Sequence, residues 1–252
     1  MYVKDWMTKN VVTLNPFDSI TDAFDVMKKG NFHRVPICSN GKLVGLITGS
    51  TLADFAPSKA TTLSVYEINS LLNKTSCKDI MITNVHTIGP NALLEEAAEK
   101  MNEHNITCLP VVEDNGQIVG IITQKVIFGA FIDLMGYYAK GSRVVIDIDK
   151  DEPGILQKLG TVTAQHNINI THFIVTRYSG LQIVIRTDET DDMKVTNILT
   201  SNGFIVSDHR TNKNVEHKLK WYHFIRPRHV LSKPYFVIVS SYLNHQVFHQ
   251  AL

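Results

Sequence analysis

VGLITGST at residues 44–51 returns as VGIITQKV at residues 119–126. The stretches around them return too. DWMTKNVVTLNP (5–16) aligns with DIMITNVHTIGP (79–90), and FHRVPI (32–37) with ITCLPV (106–111), all at an offset of 74. One inserted residue then moves the offset to 75, where NGKLVGLIT (40–48) meets NGQIVGIIT (115–123). Between the matched blocks, Ile20, Ala23, Phe24 and Met27 fall on Leu94, Ala97, Ala98 and Met101. This i, i+3, i+4, i+7 spacing is the apolar face of a helix. Asp18 and Ser19 supply capping chemistry at its start, and Gly30 a stop. In each copy Asn-Gly separates two apolar runs, the signal of a two-residue hairpin. Each repeat therefore reads strand, helix, strand, turn, strand, helix. A unit this small buries its apolar face poorly alone, so two copies are expected to pack on one another about a pseudo-two-fold axis, with related clefts between them.

Composition narrows the function classes. The 252 residues carry a formal net charge of +1, which gives no field for steering nucleic acid or a membrane surface. Three cysteines, Cys38, Cys77 and Cys108, show no C-x-x-C spacing, and their odd number argues against a disulfide framework. MYVKDWMTK has no apolar signal core, and no apolar run approaches the length of a membrane span. The expectation is a soluble, cytoplasmic protein that binds neither nucleic acid nor membrane.

The D-x-M-T opening (D-I-M-I in the second copy), the [VL]-P-[VI] strand and the G-[LI]-I-T strand end, found twice and in order over residues 1–140, resemble a tandem pair of CBS domains. Such pairs are regulatory modules that bind adenosine-type ligands in the clefts between repeats. The resemblance implies a nucleotide site at Pro36, Thr48 and Thr51 in the first copy and Thr107, Pro110 and Thr123 in the second. Beside it, His33 and Arg34 before the Pro36 strand, and Lys125 in the second copy, suit phosphate contacts or equally a solvated strand end. AMP, ATP, S-adenosylmethionine or cyclic di-AMP would be the ligand. In the family, G-h-x-[ST]-x-x-D ends in an aspartate that holds the ribose diol. Here Thr51 and Val126 take that position. Two readings of the glycine-threonine strand end stand side by side. Gly45 and Gly120 can let backbone approach a ligand while Thr48 and Thr123 face it. Alternatively, the glycines allow close packing between copies and the threonines cap helices.

Residues 143–210 follow another pattern. RVVIDI (143–148) reads as a strand, DEPGILQKLGTVTAQHN (151–167) as a loop and helix, and NITHFIVTRYSGLQIVIRT (169–187) as two strands around a Ser-Gly turn. DDMKVTNILTSNG (191–203) reads as a helix and FIV (204–206) as a closing strand. The order βαββαβ is ferredoxin-like. With the D-x-P-G loop and Ile-Asn-Ile (168–170) it resembles an ACT domain, which implies an amino-acid site at Asp151, Pro153, Gly154 and Asn169. The same residues also suit a solvated loop and a strand entry. A CBS pair followed by an ACT domain resembles the acetoin-utilization AcuB family.

The whole is expected to be α/β (α+β): CBS repeat 1 with a linker helix at 1–75, CBS repeat 2 at 76–140, the ACT domain at 143–210, and a tail at 211–252. That tail holds six Lys and Arg against one acidic residue, and five of the eleven histidines. Its aromatic-cation run WYHFIRPRH (221–229) and the His245–His249 spacing carry no specific motif, and it reads as a non-domain extension. Without a nucleophile-base pairing, P-loop, dinucleotide fingerprint or metal-ligand spacing, no catalytic residue, metal or cofactor is expected, and the resemblance to CBS and ACT domains implies a non-catalytic homodimeric sensor. A scaffold with degenerate clefts is the alternative.

Overall fold

A computed structural model describes residues 1–55, 64, 67, 72–178 and 180–212. The described residues form two units, divided after Phe128. In the first, one repeat supplies α1 (Val3–Trp6), α2 (Ile20–Gly30), β1 (Arg34–Ser39), β2 (Lys42–Thr48) and α3 (Gly49–Phe55). The other supplies α4 (Cys77–Ile80), α5 (Leu94–Glu103), β3 (Cys108–Val112), β4 (Ile118–Thr123) and α6 (Gln124–Leu134). The second unit begins within α6, at Gly129.

Ser19 begins α2 with a reciprocal capping box: its hydroxyl accepts from the Asp22 N–H, and the Asp22 carboxylate accepts from the Ser19 N–H. Ile20, Ala23 and Met27 are buried beneath it, whereas Phe24 stays exposed at the edge of the expected face. The helix stops one residue beyond the expected glycine. Asn31 takes the left-handed conformation (φ 50°), and Gly30 remains helical. A Cβ on Gly30 would overlap the Phe32 ring, so the glycine makes room for that ring.

The opening segment of each repeat is no continuous strand, because its backbone bonds are divided between the two copies. Val3 and Lys4 N–H donate to Ala92 and Pro90 carbonyls, while Cys77 and Lys78 N–H donate to Asp18 and Pro16. Thr8 exchanges both backbone bonds with Ile121, and Ile82 does the same with Leu46, all at 2.9 Å. The segments then return to their own repeats at Leu14, which bridges Ile37, and Ile88, which bridges Val111. The copies thus trade their opening turns, and this reciprocity is the pseudo-two-fold relation in hydrogen bonds. Val3, from the first repeat, is fully buried, as is Cys77 in the core of Ile20, Ile37 and Ile47.

The hairpins differ. Asn40 and Gly41 both have positive φ (51° and 77°), the mirror-image two-residue turn expected for Asn-Gly. In the second copy only Gly116 is left-handed (φ 83°), and its N–H donates to the Glu113 carbonyl at 2.8 Å. The residue that shifts the repeat offset is accommodated here, as a wider turn closed by a left-handed glycine.

The second unit contains β5 (Gly141–Asp147), α7 (Ile155–Gln165), β6 (Ile170–Thr176), β7 (Gln182–Thr187), α8 (Asp192–Ser201) and β8 (Ile205–Asn212). Its antiparallel sheet has the order β6-β7-β5-β8, the ferredoxin-like arrangement. Val144, Ile146 and Ile185 pack with Leu159 and Val162 of α7 and Val195 and Leu199 of α8. The closing strand extends to Asn212, well past the expected 204–206, because β5 pairs with it along its whole length from Gly141↔Asn212 to Asp147↔Ile205. Asn212 Nδ2 also donates to the carbonyl oxygen of Ala139 at 2.7 Å. Ser179 of the expected Ser-Gly turn, most of the linker between repeats, and residues 213–252 with the aromatic and histidine runs lie outside the described residues.

Candidate functional site

Arg34 starts β1 and pairs across the ladder with Thr48, the last residue of β2. In the second copy Cys108 pairs with Thr123 in the same way. Each threonine is followed at once by a helix, so the strand ends put polar side chains at helix starts. The carbonyl of His33 accepts from the Gly49 N–H at 3.0 Å, and that of Thr107, its repeat mate, from the Gln124 N–H at 2.9 Å. The two corners are joined by Arg34, whose Nη2 donates to Thr107 Oγ1. The structure therefore gathers His33, Arg34, Thr48 and Thr51 from one repeat with Thr107 and Thr123 from the other. Lys125 stands exposed in the first turn of α6.

Threonine chemistry differs between the two corners. Thr48 and Thr51 satisfy each other: Thr51 Oγ1 accepts from the Thr48 N–H at 2.8 Å and lies 2.8 Å from the Thr48 carbonyl, while the Thr51 N–H donates to Thr48 Oγ1 at 3.2 Å. Ser50 Oγ adds a contact to Thr48 Oγ1 at 2.7 Å. In the second copy Thr123 Oγ1 accepts from the Val126 N–H at 3.4 Å, and the Val126 side chain is buried. The helix-cap reading of the threonines therefore describes what they do in this structure.

Packing decides the glycines too. A Cβ on Gly45 would overlap Met81, and one on Gly120 would overlap Met7 and stand 3.1 Å from the Thr8 carbonyl oxygen. These glycines accept the methionine of the opening segment traded from the other copy. The two methionines are those of the opening motifs, D-W-M-T (5–8) and D-I-M-I (79–82).

Pro36 and Pro110 are buried within their strands. Each supplies its carbonyl to the segment alongside, Pro36 to the Leu14 N–H and Pro110 to the Ile88 N–H. Burial pushes the thiol of Cys108 up to about 11, against the opposing pull of Arg34, so at neutral pH it is no nucleophile beside the site.

In the second unit, Asp151, Pro153 and Gly154 line an open groove of about 480 Å³ together with Ile148, Val175 and Arg177. Gly154 sits at φ 100° as the cap of α7, a conformation that favours glycine. Asp151 accepts from Arg177 Nη2 at 2.8 Å across the rim. Arg177 was not among the residues expected from sequence; nothing in the pattern tied the loop after β6 to the Asp-x-Pro-Gly loop. Asn169 is not in this groove. It precedes β6 at the opposite end of that strand, about 26 Å along the chain direction from Arg177 at roughly 3.3 Å per residue. There its N–H donates to Asp188 Oδ1 at 2.9 Å, and its carbonyl accepts from the Asp188 N–H.

No group of three or more His, Cys, Asp or Glu residues suited to a metal ion occurs among the described residues. No described helix is long and apolar enough to cross a membrane.

Comparison with known proteins returns one recurring theme. The family described as CBS domain matches twice, over residues 3–57 and 77–133. The CBS domain-containing protein YhcV of Bacillus subtilis is 32% identical over 120 residues, 48% of this chain and 78% of that protein. A homoserine O-acetyltransferase of Methanococcus vannielii is 35% identical over 124 residues, 49% of this chain but 23% of the enzyme. The chain spans at most about half the length of such longer relatives, 47% in another case. Among solved structures, a Vibrio cholerae protein carrying the acetoin utilization name AcuB is 32% identical, with 54% of this chain and 93% of that chain covered and a TM-score of 0.45.

Proposed function

We infer that this chain, which belongs to the family of CBS-domain proteins, is a non-catalytic regulatory protein whose repeat pair holds an adenosine-type ligand at the corner where Arg34 meets Thr107. One observation carries the reading: a guanidinium that enters no ion pair among the described residues is held at the junction of two repeats by a neutral hydroxyl. A phosphate brought there would replace a neutral acceptor by a charged one, and hydrogen bonds to charged groups are roughly twice as strong. His33 is next along the strand, and Thr48 faces Arg34 across it. AMP, ATP, S-adenosylmethionine and cyclic di-AMP are the candidates.

The ferredoxin-like unit is, in the same proposal, an ACT domain. Its groove at Asp151, Pro153 and Gly154 would take a small metabolite such as an amino acid, with the Asp151–Arg177 pair supplying one partner for each end of a zwitterion. Ligand binding in either module would shift the balance between states of a homodimer. A tie to acetoin use, suggested by the order of the modules, belongs to this proposal as well.

Calorimetry on the full chain with the four adenosine-type ligands tests the first module. Arg34→Ala should weaken them in order of phosphate charge, ATP most and S-adenosylmethionine least. Equal weakening of all, or none, would remove Arg34 as the anchor. A panel of amino acids tested against wild type and Asp151→Ala does the same for the groove.

A scaffold with idle clefts is favoured by one specific observation: Thr51 is consumed by the Thr48 cap, and Val126 is buried. Absence of a saturable signal with every ligand in both modules would establish it.

A further inference from the structure

Three arginines stand in one row across the sheet of the second unit. Arg186 on β7 pairs with Arg143 on β5, and Arg143 pairs with Arg210 on β8. Residues directly opposite in an antiparallel sheet share a face. Their strand neighbours Val144 and Ile185 are fully buried in the core against α7 and α8, so the arginines occupy the other face. With strands about 4.8 Å apart, the row spans about 10 Å.

Like charges directly opposite each other are destabilising, so the row needs counter-charge. One carboxylate provides some. Asp208 accepts from Arg143 Nη1 at 2.9 Å and from Arg210 Nη2 at 2.9 Å and Nε at 3.2 Å. Arg186 gets none: its Nε donates to the carbonyl of Met135 at 2.7 Å, a neutral partner, and no ion pair among the described residues includes it. Burial first, and then the neighbouring charge of Arg143, lower the pKa of Arg186 against a smaller opposing pull from Tyr137. Three guanidinium groups against one carboxylate leave a local excess of two positive charges. The cationic zone is one row deep, since Val145 and then Asp147 follow Arg143 on the same face of β5.

We propose that the Arg186–Arg143–Arg210 row is a binding site for a small multivalent oxyanion of the pyrophosphate type. Guanidinium groups match phosphoryl oxygens in pairs. Adjacent arginines one strand spacing apart suit two linked phosphoryl groups, and the excess charge calls for at least a dianion. An extended polyanion has no continuing track, because Asp147 closes the face along the strand.

The test is calorimetric titration of the full chain with sodium pyrophosphate, against sodium chloride of equal ionic strength. Saturable binding is expected for wild type. Arg186→Gln should weaken it at least tenfold, and so should Arg210→Gln, whose exposed side chain makes misfolding no explanation. In an Arg34→Ala background saturable binding should persist and Arg186→Gln should still weaken it, which separates this site from the repeat-pair corner and its proposed nucleotide. The proposal is overturned if wild type shows only the chloride response, if both arginine variants bind as wild type does, or if Arg34→Ala abolishes the signal.

Discussion

Met7 lies over Gly120 so closely that a single added methyl group would overlap it, though the two residues belong to different repeats. Met81 stands in the same relation to Gly45. The traded opening segments are thus locked by side chains as well as by the Thr8–Ile121 and Ile82–Leu46 bonds. Gly120→Ala should destabilise the first unit by about 1–3 kcal/mol, the usual range for overpacking. Met7→Ala should be less harmful in that background than in wild type, and a double-mutant cycle in urea measures the difference. Strictly additive effects would mean that the methionine moves aside without strain.

The exchange itself was beyond reach of the repeat pattern. Periodicity names the buried side of α2 and α5, and Asn-Gly names the turn, because both are local consequences of sequence. Which copy an opening turn docks on is decided by long-range bonds such as Val3 to Ala92, and identical motifs fit either partner. The wider second turn was written in the offset shift, yet the Asn-Gly pair hid it. At the site, the polar corner followed from residues at strand ends. The mutual cap of Thr48 and Thr51 did not, since a hydroxyl's partner depends on its rotamer. Asn169 was grouped with Gly154 by motif, while strand direction puts them at opposite ends of the sheet.

Acid should weaken the two capping boxes together. The Asp22 carboxyl is held below its ordinary pKa by the Ser19 hydroxyl and then the Ser19 N–H, and Asp79 by the same groups of Ser76. Ser19 and Ser76 are themselves bridged, so the boxes sit back to back. A carboxyl titrating lower folded than unfolded contributes stability that is fully present above the unfolded value of about 3.9 and is lost as pH falls through the folded one. Asp22→Asn with Asp79→Asn should therefore melt below wild type at pH 7, and the gap should narrow progressively as pH falls below about 3.9. A gap of constant size across that range would show that the carboxylate charge is not what the boxes use.

The long closing strand gives a length test. A chain ended after Val206 loses the pairing of Asp208 through Asn212 with β5, including the Arg143–Asp208 ion pair. It should melt clearly below a chain ended after Asn212, which keeps them. Equal melting temperatures would show that residues 207–212 add nothing to the sheet.

Phe128 and Phe131 lie three residues apart on α6 and are 58% and 56% exposed, with Leu134 next at 53%. Residues at that spacing are neighbours on a helix surface, and large apolar residues grouped on a surface mark association sites. The expected homodimer would cover them. Light scattering should give twice the chain mass for wild type, and the mass of one chain for Phe131→Asp. A wild-type mass of one chain at all concentrations would refute the dimer.

Thr51 offers the most direct question to put to the repeat pair. Its hydroxyl is spent on the Thr48 backbone, at 2.8 Å to both the N–H and the carbonyl. An aspartate in its place has two oxygens. One can keep accepting from the Thr48 N–H, as carboxylates do three residues into a helix, and the other is left for a ribose hydroxyl. A hydrogen bond to a charged group contributes about 1.5–3 kcal/mol, and each 1.4 kcal/mol is a decade of affinity. Thr51→Asp should therefore tighten AMP by about tenfold or more in calorimetry. Thr51→Val loses the side-chain cap and should lower the melting temperature without changing AMP affinity, because the wild-type hydroxyl is already engaged. If neither wild type nor Thr51→Asp binds AMP, the corner at Arg34 and Thr107 is a packing contact between repeats, and the threonines cap helices and do nothing more.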